Sequence, residues 1–315
     1  MTPRPPTFRA LMESPAVRAD LHDPVALAAL GHLEIVARWI VDGFLSGLHR
    51  SPRKGFSVEF ADFRPYQPGD DLRYVDWKIA ARSDRWVVKQ YEEETNLRAT
   101  LILDVSASMN WRGAPATERL TKRGYAEQLT AALALLLLRQ RDAIGLVRFD
   151  DAVRTSVPPR ARTSQWRRIL AALVEPSGGR ASDVASALTQ AARLVTRRGM
   201  VILISDLLVD VEPALTALRG LRAAGHDVTV LHVMDPAERF FALTGEARYA
   251  DPESELSIPA SGADVRAAYN RTVETVIAEW RSALGAMGAR YDVVLTDQPY
   301  ATPLRRVFDA RQRRP

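Results

Sequence analysis

Residues Leu101-Ile102-Leu103-Asp104-Val105-Ser106-Ala107-Ser108-Met109 pass from an apolar run into a carboxylate and then two hydroxyls at alternate positions. The apolar run suits a strand buried on both faces. If that strand stops at Asp104, its carboxylate arrives with Ser106 and Ser108 on one loop at a sheet edge. Such hard oxygen donors suit Mg²⁺ or Mn²⁺, which favour carboxylate, hydroxyl and water in octahedral array. Asp and Ser are also ordinary turn residues, so the choice rests on whether more donors arrive on neighbouring loops.

Downstream, strands alternate with helices. After the strand at 99–105, a helix is expected over Glu118 to Gln140, whose run from Leu129 to Leu138 reads as buried. A strand follows at Ala143 to Phe149. Val153 to Val157 comes so soon after the Asp150-Asp151 turn that it must be an antiparallel edge strand. Helices at 164–174 and 183–197, strand 200–205, helix 212–224 and strand 227–233 continue the alternation. Residues 235–262 interrupt it as an insertion with one small hairpin. A long helix at 264–287, a strand at 290–295 and a helix at 302–311 close the chain. The expected fold is α/β: a doubly wound, mostly parallel six-stranded sheet with one antiparallel edge strand, plus a small N-terminal helix and β subdomain.

Upstream, residues 1–22 are rich in Pro and Arg and read as a flexible N-terminus. Residues 23–97 read as a helix to about Leu48 followed by a small β subdomain, and 98–315 as the sheet domain. Within 23–97, strands are expected at 56–60 and 86–91. Pro68-Gly69 suits a type II turn, with Asp70 capping a short helix whose inner face is Leu72, Val75 and Ile79. Arg64, Asp70, Asp71, Arg73 and Asp76 are either a partner-docking or catalytic cluster or a set of internal salt bridges. Trp77 and Trp86 are expected in the core.

Composition narrows the function classes. The sequence has no cysteine, which removes disulfides, thiolate metal sites and a cysteine nucleophile. No apolar run approaches the roughly 20 residues needed to cross a bilayer, and Met1-Thr2-Pro3-Arg4 does not open a secretory signal, so a cytoplasmic location is expected. The net charge is +5, but only Lys54, Lys78, Lys89 and Lys122 among 43 cations are lysine. Arginines scattered among acids, with no accompanying motif, do not indicate nucleic-acid binding. No phosphate-binding Gly-x-x-x-x-Gly-Lys loop is present, and the five histidines show no metal-protease spacing.

In a doubly wound sheet, ligands gather at the carboxyl ends of the strands, where the strand order reverses. Asp104 falls there. The loop before helix 183–197 brings Ser182 and Asp183, and strand 200–205 ends in Ser205-Asp206. Three loops thus offer oxygen donors at one sheet edge.

The Asp104-x-Ser106-x-Ser108 element resembles the metal-ion-dependent adhesion site of the von Willebrand factor A-type fold, with Ser182 where that fold carries Thr and Asp206 as its last carboxylate. That resemblance implies an ion held by Ser106, Ser108 and Ser182, with Asp104 and Asp206 acting directly or through water. One vertex would stay open for a partner carboxylate. The pattern Arg64-x-Tyr66-x-Pro68-Gly69-Asp70-Asp71-x-Arg73-x-x-Asp76-Trp77, with Ala81-Arg82, is similar to the bacterial family catalogued as domain of unknown function 58. Its members resemble von Willebrand A proteins and are often encoded beside MoxR-type AAA+ ATPases. The resemblance implies a non-catalytic protein-binding module, adaptor or chaperone-like, that engages the ATPase or its client. The alternative is a Mg²⁺- or Mn²⁺-dependent phosphoryl-transfer hydrolase using Asp104 and Asp206.

Overall fold

The computed structural model describes residues 24–49, 62–68, 75, 77–83, 86–90, 97–113, 119–176, 184–241, 246–250 and 257–312. In chain order the first elements are α1 (Pro24–His49), β1 (Asp62–Pro65), α2 (Trp77–Ser83), β2 (Val87–Gln90) and β3 (Arg98–Asp104). Then come α3 (Lys122–Arg139), β4 (Ala143–Phe149), β5 (Val153–Arg160), α4 (Thr163–Val174), α5 (Val184–Arg193) and β6 (Met200–Ser205). The remainder is α6 (Val211–Ala223), β7 (Asp227–Met234), α7 (Pro236–Phe240), β8 (Glu246–Ala250), β9 (Ser257–Ser261), α8 (Gly262–Ala286), β10 (Arg290–Leu295) and α9 (Ala301–Gln312).

The chain divides into two compact units, Leu45–Asn96 forming one and the rest the other. In the larger unit a six-stranded sheet runs in the order β10-β7-β6-β3-β4-β5. Every pairing is parallel except β4 with β5, the antiparallel edge that the short Asp150-Asp151 connection requires. The expected α/β sheet is the one observed. Its strand order reverses at β3, whose neighbours are β4 on one side and β6 on the other. The carboxyl ends of β3 and β6 therefore flank the switch point, where a crevice opens in such sheets.

Both faces are covered, so the central strands are apolar throughout rather than alternating. β6 is buried at all its positions, and β3 from Ala99 onward. Successive residues point to opposite faces. Ile102, Val147, Leu203 and Val230 join Leu188 of α5, Leu215 and Leu218 of α6, and Trp280 and Leu284 of α8 in one cluster. The other face is covered by α3, which is buried on every side from Leu129 to Leu137. Burying each such Leu contributes on the order of 1.5–3 kcal/mol.

Several boundaries moved. α3 begins at Lys122 rather than Glu118, because the Thr121 side chain accepts from Gly124 N–H and sets the cap there. β5 extends to Arg160, and α5 stops at Arg193. The insertion holds the short helix α7 as well as the expected hairpin, β8 with β9.

In the smaller unit, β1 pairs antiparallel with β2. Its short helix starts at Trp77, and Val75 before it is buried. The strand expected at 56–60 lies outside the described residues. Trp77 and Trp86 correct the expectation of core positions: they are 55% and 47% exposed and pack edge-on at 5.8 Å. The two indoles shelter each other, and Trp86 also packs against Tyr66 at 5.7 Å.

Candidate functional site at the carboxyl edge of the sheet

β3 carries its burial to the end, so Asp104 has no solvent exposure. Backbone pairing continues one residue further, with Val105 N–H donating to Phe149 O. Asp104 Oδ1 accepts the Ser106 N–H at 2.9 Å, a turn closed by the side chain, and Oδ2 accepts the Ser205 hydroxyl at 2.6 Å. Ser106 then starts a 3₁₀ turn over Ala107–Asn110, which brings Ser108 back beside it. The two hydroxyl oxygens lie 3.1 Å apart, both buried.

β6 lies beside β3 in register, Leu103 facing Ile204. It delivers Ser205 to Asp104 and Asp206 to the edge of the same site. Leu207 then takes a left-handed conformation, φ 53°, uncommon for a bulky residue. Two bonds hold that turn: Leu207 N–H to Ser205 Oγ at 3.0 Å and Leu208 N–H to Asp206 Oδ1 at 3.3 Å. Strain of this kind persists where the surroundings over-determine it, often at functional loops.

The electrostatics are those of a buried acidic cluster. Burial, then the charge of Asp206, pushes the Asp104 carboxyl up to about 7, against hydrogen bonds from Ser205 and Ser106. Lys122, at the start of α3, gives its ammonium to Asp206 Oδ2 at 2.8 Å and to Glu238 Oε1 of α7 at 2.6 Å. Burial alone would lower the Lys122 pKa, but the two carboxylates outweigh it and raise it. Glu238 is raised by burial in spite of Lys122. On β7, His232 faces Ser205 in the register, and its Nδ1 is 2.7 Å from Tyr291 OH. Burial holds it neutral, down to about 4. Lys122 thus answers two of these carboxylates, Asp206 and Glu238, while Asp104 meets the charge of Asp206.

The loop after the 3₁₀ turn is pressed against α7. A Cβ at Gly113 would stand 2.6 Å from Asp235 Oδ1 and closer still to Ala237 Cβ. Asp235 caps α7 by accepting from Ala237 N–H, so it is not free to yield. Gly113→Ala is therefore expected to cost about 1–3 kcal/mol through forced repacking, read as a lower urea midpoint with an unchanged slope.

A family model described as "Protein of unknown function DUF58" matches residues 62–279. The chain belongs to that family. Among curated relatives, the DUF58 chain is 30% identical over 314 residues to "Uncharacterized protein Rv1480" of Mycobacterium tuberculosis H37Rv, covering 96% of each. The same figures hold for "Uncharacterized protein Mb1516" of Mycobacterium bovis. Among solved structures, "conserved hypothetical protein BatB" from Bacteroides thetaiotaomicron superposes with TM-score 0.43 at 15% identity, over 69% of this chain and 100% of that one. An "aerotolerance-related membrane protein" from Bacteroides fragilis gives 0.42 at 15% identity, over 68% and 97%.

Of the residues singled out in the DUF58 sequence, Asp104, Ser106 and Ser108 come together as expected, and Asp206 arrives on the neighbouring strand's loop. Ser182 lies outside the described residues, as do Asp70, Asp71, Arg73 and Asp76. Arg64 belongs to β1, but its side chain is not described. Among the described residues no three His, Cys, Asp or Glu side chains gather as a metal-binding group. The hydroxyls of Ser106, Ser108 and Ser205 stand beside the Asp104 carboxylate instead. Sequence reasoning placed Ser205 at this edge without giving it a role, and missed Lys122 and Glu238. Ser205 was visible as the last residue of an apolar strand. Lys122 was visible only as a rare lysine among arginines.

Proposed function

We propose that this DUF58 chain is a non-catalytic, metal-ion-dependent protein-binding module of the von Willebrand A kind. Ser106 and Ser108 would hold Mg²⁺ or Mn²⁺, with Asp104 and Asp206 on the ion or on its waters and Ser182 as a further hydroxyl. The observation that carries this reading is the Ser106–Ser108 hydroxyl pair, 3.1 Å apart and buried beside Asp104. Neighbouring oxygen ligands on an octahedral Mg²⁺, each about 2.1 Å from it, stand about 3.0 Å apart. The ion would supply a Lewis-acidic vertex for a partner's carboxylate. This chain's residues would hold that vertex in place and keep its protein side dry.

The partner we propose is a MoxR-type AAA+ ATPase or its client, met in the cytoplasm, where the ATPase does the chemical work and this chain does the gripping. No helix among the described residues is long and apolar enough to cross a membrane. The phosphoryl-transfer alternative has less in its favour. Asp104 is fully buried with both oxygens engaged, which suits an anchor better than a nucleophile. Lys122 is held by two carboxylates and is not presented to a phosphate.

Co-purification tests the partner. Wild type captured from native extract with Mg²⁺ is expected to bring down an AAA+ ATPase or its client. The same capture in EDTA, or with Ser106→Ala/Ser108→Ala, is expected to lose it. Recovery of the same partner in all three arms would separate partner binding from the ion and overturn the proposed mode.

A further inference from the structure

Lys122 occupies a position that elementary electrostatics disfavours twice. It is the first residue of an 18-residue helix, where the unpaired N–H groups and the helix dipole repel a cation. It is also 1% exposed, and an ammonium loses its hydration there. What compensates is the pair of carboxylates at 2.8 and 2.6 Å, Asp206 after β6 and Glu238 on α7, 84 and 116 residues away in sequence. The Trp111 ring lies 5.9 Å below the same ammonium. In a chain that uses arginine almost everywhere, a lysine stands here because a compact point charge fits between two carboxylates where a planar guanidinium does not.

Resting on the ion reading above, we infer that Lys122 is the resident cation of this site and its positioning residue. It holds Asp206 by Oδ2, leaves Oδ1 to the turn at Leu208, and ties the ion site to α7 through Glu238. The carboxylate cluster thereby stands assembled before any ion arrives. Lys122 also sets how strongly an ion is drawn in, since its charge opposes a divalent cation while Glu238 favours one. α7 opens the 235–262 insertion, so this contact is a direct link between the ion site and that segment.

The test is calorimetric titration of Mn²⁺ into full-length wild type, Lys122→Met and Glu238→Gln, with melting of the same proteins in EDTA. Removing the ammonium is expected to tighten Mn²⁺ binding by on the order of tenfold or more, and removing the Glu238 charge to weaken it several-fold. A lysine that merely packs the helix start would weaken binding in both variants or leave both unchanged, and either pattern overturns the inference. In EDTA, Lys122→Met is expected to melt lower, and Lys122→Met/Glu238→Gln to recover part of that loss. If wild type takes up no Mn²⁺, the ion reading falls, and the melting cycle alone decides: additive losses would remove the role assigned to Lys122. Should Lys122→Met fail to fold, unchanged affinity in the conservative Glu238→Gln, whose residue is partly exposed, would also overturn it.

Discussion

Asp104→Asn is expected to abolish divalent-ion binding and, in EDTA at pH 8, to make the protein more stable rather than less. The reason is the local chemistry. Asn keeps an acceptor for the Ser106 N–H and turns a donor toward Ser205 Oγ, so both contacts of the carboxylate survive in reversed or neutral form. What it removes is a buried charge facing Asp206. The wild-type Asp104 pKa rises from 3.8 to about 7 on folding. A carboxyl raised in this way contributes stability that is fully present below pH 3.8 and is lost as pH rises through 7. The loss approaches about 4 kcal/mol at about 1.4 kcal/mol per unit. Relative to wild type, Asp104→Asn should therefore gain up to about 4 kcal/mol between pH 4 and pH 8, measured by urea denaturation in EDTA. Saturating Mn²⁺ should close much of that gap for wild type alone, since a ligand at about 100 times its Kd stabilises by about 2.7 kcal/mol. A variant less stable than wild type by the same margin at both pH values would show that Asp104 is an ordinary structural acceptor.

His232→Gln carries the second large effect, with the opposite sign. His232 is buried and neutral, its pKa down from 6.5 to about 4. A base lowered on folding contributes stability that is present above 6.5 and is lost as pH falls toward 4. That amounts to about 3 kcal/mol. In ion-free wild type, the Asp104 and His232 effects oppose each other between pH 4 and 6.5 and largely cancel, leaving the Asp104 loss exposed just above. His232→Gln removes one side of that balance. Its stability relative to wild type should rise by up to about 3 kcal/mol as pH falls from 6.5 to 4, with Gln placed to bond Tyr291 OH in place of Nδ1. Parallel curves for variant and wild type over that range would mean His232 takes up its proton without cost in the folded state.

How much of this was legible in the sequence follows from the distance over which each feature is encoded. Strand β3 and its Asp104-x-Ser106-x-Ser108 loop are local, and apolar runs ending in polar turns mark them without knowledge of the fold. The antiparallel edge strand was legible because a connection as short as Asp150-Asp151 permits no crossover. Asp206 was legible at one remove, because a parallel sheet brings successive strand ends to one edge. Lys122 and Glu238 were not. Their pairing joins the start of one helix to an insertion 116 residues later, and nothing periodic announces it. Misplacing the helix start at Glu118 hid Lys122 further, by putting it a turn inside the helix, where a lysine reads as solvated. Trp77 and Trp86 misled for a different reason: large aromatics are usually buried, but these two pack on each other and stay about half exposed.

Whether Asp104, Ser106 and Ser108 hold a divalent cation is decided by calorimetric titration of Mn²⁺ into wild type and Ser106→Ala/Ser108→Ala. The two hydroxyls bond each other across 3.1 Å, and the Ser106 side chain also supports Asp104, so the paired substitution removes the mutual contact whole at the cost of about 1 kcal/mol for the bond to Asp104. Saturable one-site binding is expected in wild type and none in the paired variant, which should stay folded in EDTA and melt slightly lower. Equal Mn²⁺ affinity in both, or no saturable binding in wild type, would contradict the proposed ion site.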